Sequence, residues 1–428
     1  MRKSFLTIGL LIPATFFLRA QKAPDIINAR EVARIEKTLA SDKLRGRRTF
    51  TPDIDEAARF IATEFKKTGL QTWKKGDSYL QRFTMVTPKL ISLAGMIDGQ
   101  PVEQKNITVI TSSADLKIDQ HSGYEVSTIK AGQRLFREAI KYNQAGRNYI
   151  VIVDTSYTNN FPRLSQLANQ FFKSDYSVIF LLASKEPTSF NIEVKQEITE
   201  QKLANVVGVL PGKSRKDEYV IFSAHYDHLG IGAPVNGDSI YNGANDDAAG
   251  TTAVIMLANY FKARGDNERT LIFTAFTAEE VGGFGSHYFS KQLQPGKVKA
   301  MLNIEMIGTD SKWGANSAYI TGYEKTNLGR ILQKNLKGTG FTFYPDPYPQ
   351  QQLFYRSDNA TLARLGVPAH TISTSKMDNE LNYHKPSDQV ETLDLKNMAM
   401  IIRSIALSAR SIIAGADTPS RVNTDDLK

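Results

Sequence analysis

Cysteine is absent from the 428-residue chain. Disulfides, thiolate metal ligands and a lipid-bearing cysteine anchor are thereby excluded. Any metal must be held by histidine and carboxylate, and stability must come from the core and from such metals. Histidine is scarce, with six in the whole sequence. Apolar runs long enough to span a bilayer are missing too. The closest is Phe5 to Leu18, which is short, contains Pro13 and follows Arg2-Lys3, the pattern of a secretory signal over residues 1–20 rather than a retained anchor. The expected location is secreted or periplasmic, with no stable membrane insertion once the signal is removed. Dense Lys/Arg blocks with interleaved aromatics are also lacking. The formal charge of +9 falls to +6 when Arg2, Lys3 and Arg19 are set aside with the signal, so nucleic acid is a poor partner for this chain.

The remainder has the composition of a packed globular protein. Apolar spacings of three and four predict helices over Ala29 to Leu39 and Ile54 to Lys67, with Pro52 and Asp53 suiting the second helix start. Residues 21–87 read as the N-terminal part of a catalytic domain. Residues 88–200 hold β-like runs between long polar stretches and read as an inserted, smaller β-rich domain. From 201 to 416, apolar strands alternate with helices and short turns: EYVIFSAHY, then a helix over Ala248 to Lys262, RTLIFTAFTA, VKAMLNIEM, a helix over Lys325 to Leu336, PAHTIST, and a last helix from Leu395 to Ala414. This alternation predicts an α/β fold with a doubly wound, mixed but mostly parallel sheet and helices on both faces. Residues 417–428 read as a frayed polar tail.

Candidate ligands fall where strands meet their following loops, the place where such sheets gather ligands. They are His225 and Asp227 in SAHYDHLG, Asp246-Asp247 in NGANDDAAG, Glu279-Glu280 in TAEEVGG, Glu305 in NIEMIG and His384 in NYHKPSD. Two imidazoles and three carboxylates, with a spare Glu, make the donor inventory of a two-zinc hydrolase. Three carboxylates and one hydroxide also balance the charge of two zinc ions. Asp227 is placed to orient the His225 ring. Asp246, in a rigid Gly-Ala-Asn turn, suits a carboxylate shared by both ions, with Asp247 as its support. Glu279 is expected to be the general base and Glu280 a ligand. Glu305 lies in an apolar run where an unpaired carboxylate is costly. Asp388 could orient the His384 ring. His228 reads as structural or substrate-facing, and His121, His287 and His370 as core or surface histidines.

In this order and on these elements, the segments resemble the co-catalytic zinc exopeptidases, whose members include bacterial leucyl aminopeptidases and whose relatives include glutamate carboxypeptidase and glutaminyl cyclase. LASDKLRGRRTFTPD, LANVVGVLPG, TAEEVGGFGS and SDNATLARLGVPA are similar to further hallmark stretches of that family. The resemblance implies one zinc on His225, Asp246 and Glu305 and a second on Asp246, Glu280 and His384. It implies Asp227 behind His225, Glu279 as the catalytic base, Tyr383 on the oxyanion, and a cis bond between Asp246 and Asp247. It implies a secreted aminopeptidase that removes N-terminal residues from peptides through a water activated by two zinc ions. A carboxypeptidase or dipeptidase on the same scaffold, a single-zinc glutaminyl cyclase and a non-catalytic receptor-like module are the alternatives. Glu305 departs from the family pattern, which usually has Asp there.

Overall fold

The computed structural model describes residues 23–427; the expected signal segment lies outside the described residues. A mixed twelve-stranded sheet forms the main body. Its centre is parallel: Ala369–Ser373, Val298–Glu305, Arg215–His225 and Arg269–Phe276 lie side by side in that order. These strands are apolar and buried on both faces, as a sheet covered by helices on each side requires. Antiparallel strands flank the centre, with Phe190–Leu210 beside Arg269–Phe276 and Ser317–Ile320 beside Ala369–Ser373.

Chain order fixes where a site can form. From Arg215–His225 the chain passes through helix Ala249–Arg264 to Arg269–Phe276 on one side. It then passes through helix Phe284–Lys291 to Val298–Glu305 on the other side. The first crossover runs to one side of the Arg215–His225 strand and the second returns past it to the other side, which opens a crevice at its carboxyl end. Helix Ala249–Arg264 is buried almost all round, and packs with Ala29–Leu39, Pro52–Thr68 and Leu395–Ser408 into one continuous core. Asn28 caps Ala29–Leu39 by accepting the N–H groups of Arg30 and Glu31, and Pro52 opens the next helix where its missing N–H costs nothing.

A separate four-stranded sheet is built from Ile107–Ile110, Val178–Leu182, Tyr149–Val153 and Glu125–Ile129, with helix Leu135–Asn143 packed against it. It joins the main body through Leu80–Ile97 and Phe190–Leu210, paired antiparallel almost from end to end. Positions 88 and 200, where the composition changes, fall inside this ladder: Pro88 faces Ile198 and Val86 faces Glu200. Backbone hydrogen bonds are indifferent to the change in side chains.

The tail is not frayed. Arg421 donates to the carbonyls of Pro295 and Val298, Val422 is buried with its N–H on Gly366, and Thr418 accepts from Arg269. Its polar side chains serve as partners for buried backbone, which polarity alone does not reveal. Among the described residues no helix is long and apolar enough to cross a membrane.

Candidate active site

His225 ends the central strand, and the chain then turns so that Asp227 and His228 lie on the adjoining loop, all three buried. The His225 ring bonds the backbone carbonyl of Asp227 through Nδ1 at 3.1 Å, while the Asp227 carboxylate stands 3.8 Å away. The expected orienting contact therefore comes from the main chain. The carboxylate instead accepts the Thr49 hydroxyl at 2.9 Å and the backbone N–H groups of Glu279 at 3.1 Å and Glu280 at 3.3 Å. One side chain thus fixes the spacing of two loops.

Ala244–Ala248 forms a single π-type turn ahead of helix Ala249–Arg264, and the Asp246-Asp247 peptide bond is cis. Asp388 accepts the N–H groups of Asn245 at 2.8 Å and Asp246 at 3.0 Å. It holds this turn rather than the His384 ring. Asp247 accepts from Gly250 at 2.9 Å and Met306 at 3.0 Å, tying the turn to the Glu305 strand. Gly243 has positive φ, and a Cβ there would overlap both the Asp246 carbonyl and the His228 ring. Beneath these loops the buried Arg47 guanidinium donates to the carbonyls of Leu39, Tyr226, Asn242 and Gly243. Its full set of carbonyl partners explains how a cation can be buried there.

Two donor clusters result. In the first, His225 Nε2 lies 3.3 Å from Asp246 Oδ1 and 3.2 Å from Glu305 Oε1. In the second, His384 Nε2 lies 3.2 Å from Asp246 Oδ2 and 3.3 Å from Glu280 Oε2. Asp246 faces one cluster with each oxygen. His228 enters the second cluster as well, with Nδ1 2.8 Å from Glu280 Oε1 and 3.9 Å from Asp246 Oδ2. Its place one residue beyond His-x-Asp was the only signal for it in the sequence. Ser357 was missed: its hydroxyl donates to Glu305 Oε2 at 2.7 Å and steadies the longer arm. Tyr383 stacks on the His384 ring with centroids 3.9 Å apart and lines the same cleft as Glu279.

Electrostatics set these groups apart. Burial pushes the Glu279 carboxyl well above its usual range. Burial also works upward on Asp246, but its bonds to His225 and His384 outweigh it and hold the carboxylate ionised. Burial lowers His384, yet its bonds to Asp246 and Glu280 outweigh that and raise it to about 10. Burial likewise raises Tyr383, which keeps its hydroxyl protonated and able to donate.

The donor set fits zinc. It is all imidazole and carboxylate, and among the described residues the buried Nε2 of His228 has no hydrogen-bond partner. Cations must displace the proton raised on His384, so metal binding should strengthen as pH rises. The remaining histidines lie elsewhere. His121 is exposed in the turn ahead of strand Glu125–Ile129, His287 sits on helix Phe284–Lys291, and His370 is buried between Thr326 and the Thr321 carbonyl.

Residues 205–409, which contain every one of these donors, match Peptidase family M28. Leucine aminopeptidase 1 of Chaetomium globosum is 23% identical over 63% of this chain and 71% of its own length. Aminopeptidase YwaD of Bacillus subtilis is 22% identical over 71% of this chain and 70% of its own. In structure the chain is similar to BSAP, a zinc aminopeptidase from Bacillus subtilis, with a TM-score of 0.55 at 15% identity, covering 95% of this chain and 98% of that one.

Proposed function

Because this chain belongs to peptidase family M28 through residues 205–409 and is a zinc-dependent hydrolase of the aminopeptidase kind, we propose that it removes N-terminal residues from peptides with two zinc ions at its site. The observation that carries the two-ion reading is Asp246, whose two oxygens face separate imidazoles, each of which also lies against its own glutamate. His225, Asp246 and Glu305 would hold one ion. Asp246, Glu280 and His384 would hold the other, with His228 against Glu280. Bound zinc supplies Lewis acidity to carbonyl and water oxygens in the cleft.

The chain's own groups do the rest. Glu279, made a good proton acceptor by burial, takes a proton from the attacking water and delivers it to the leaving amine. Tyr383 remains protonated and donates to the carbonyl oxygen as it gains charge. Asp227 holds Glu279 and Glu280 by their backbone N–H groups, so acceptor and ligand keep their spacing. Export by residues 1–20 belongs to the same proposal and rests on their charge and apolar pattern.

Metal analysis of active protein, with hydrolysis of aminoacyl amides followed before and after chelation, tests this reading. Two zinc ions per chain and loss of hydrolysis on chelation are expected. One ion per active chain overturns the two-ion proposal and favours single-zinc chemistry.

A further inference from the structure

The cleft above the metal donors opens to solvent, and among the described residues Arg356 is the only Lys or Arg on its wall. Arg356 follows the short turn Leu353–Tyr355 and is exposed. Among the described residues it enters no ion pair, and its one hydrogen bond is Nη1 to Gln351 Oε1 at 3.3 Å. The guanidinium carries five N–H donors in a planar fork that matches a carboxylate, so most of its donor capacity is unspent. Arg356 and Tyr383 line the same cleft, and the next residue, Ser357, donates to Glu305 Oε2 at 2.7 Å, which sets Arg356 beside the donor end.

The surrounding wall offers this cation no counter-charge. Met306, Tyr319, Leu353 and Met377 are uncharged, and the Ser375 hydroxyl is engaged with Glu380. The acids of the floor, Asp246, Glu280 and Glu305, would be taken up by two zinc ions and Glu279 by the attacking water. Among the described residues the guanidinium forms no ion pair with any of them, so its fork is open to an anion that the substrate brings.

We propose that Arg356 is a specificity-determining residue that takes a carboxylate carried by the substrate, either the free α-carboxylate of a short peptide or an acidic side chain beside the scissile bond. This rests on the peptidase reading above and names its substrate class. A bidentate pair at a cleft rim contributes mainly to binding, so it is read in KM more than in kcat.

The test uses the zinc-loaded enzyme and two matched pairs of substrates. Leu-Gly against Leu-Gly-amide reports the α-carboxylate, and the coumarin amide of Glu against that of Gln reports the side chain. The wild type should favour the carboxylate-bearing member of at least one pair by about tenfold or more in kcat/KM, chiefly through KM. Arg356→Gln should bring that ratio close to one whatever it does to absolute rates, and Arg356→Lys should keep part of it. A structural role would shift both members of a pair alike and leave the ratio standing. Equal treatment within both pairs by the wild type, or a preference that survives Arg356→Gln, overturns this assignment alone. Failure to cut any of the four overturns the peptidase reading and the assignment with it.

Discussion

Asp227 Oδ1 accepts the backbone N–H of Glu279 at 3.1 Å, and its other oxygen takes the N–H of Glu280 at 3.3 Å. The loop after the His225 strand therefore sets where the proposed base and a proposed ligand stand. Asp227→Asn would turn an NH2 group toward one of those N–H groups. Turnover should fall about 100-fold or more, and zinc affinity by about 10–100-fold, with secondary structure retained by circular dichroism. Thr49→Val removes one donor to the same buried carboxylate and should cost about 1–3 kcal/mol of stability. Normal kinetics in Asp227→Asn would remove this residue from the machinery.

Glu279→Gln keeps size and shape but cannot accept a proton. Both zinc ions should remain while kcat falls about 10²–10⁴-fold. Metal analysis beside steady-state kinetics separates the outcomes. Loss of zinc with this substitution would exchange the roles assigned to Glu279 and Glu280.

Glu305 reaches His225 at 3.2 Å while Ser357 holds its second oxygen at 2.7 Å. Glu305→Ala should empty the His225 side and spare the His384 side, giving about one zinc per chain. Glu305→Asp should stay folded and bind metal with altered turnover. Ser357→Ala should weaken zinc on the same side by about tenfold, because an outer partner that orients a ligand is removed. Full metal content in Glu305→Ala would mean that another group completes that site.

Glu36 is fully buried in helix Ala29–Leu39, with the Thr252 hydroxyl and the Arg47 cation near its carboxyl group. Burial raises its pKa to about 8, with Arg47 pulling the other way. The folded state thus holds this proton through a range where the unfolded chain has lost it. Stability from this group is full below about pH 4.5 and declines as pH rises towards 8, by on the order of 3–5 kcal/mol. Glu36→Gln should match the wild type at low pH and exceed it in Tm as pH rises. Parallel Tm curves at every pH would refute the assignment.

Much of the fold could be read from apolar runs. Helix Ala29–Leu39 has the bounds its spacing suggests, and the central strands carry His225 and Glu305 at their carboxyl ends. Those features depend on local pattern, which a sequence displays. What stayed hidden depends on contacts distant in the chain. Asp388 looks from sequence like a partner of nearby His384, yet it satisfies the N–H groups of Asn245 and Asp246 from more than a hundred residues away. His228 stands one residue beyond His-x-Asp and Ser357 opens the SDNATLARLGVPA stretch, yet only the folded crevice brings each against a glutamate. Arg47 is legible as a basic loop residue, but its carbonyl cage exists only once the segments holding Leu39, Tyr226 and Asn242-Gly243 meet.

The ladder between Leu80–Ile97 and Phe190–Leu210 bears on how the inserted unit can move. A pair of flexible linkers would let it swivel about a point. A hydrogen-bonded ribbon instead bends and twists like a leaf spring, storing elastic energy along its length. The same ribbon pairs with Arg269–Phe276, the strand that leads into the Glu279-Glu280 loop. Continuous backbone pairing thus runs from this ribbon into the strand that leads to those two glutamates.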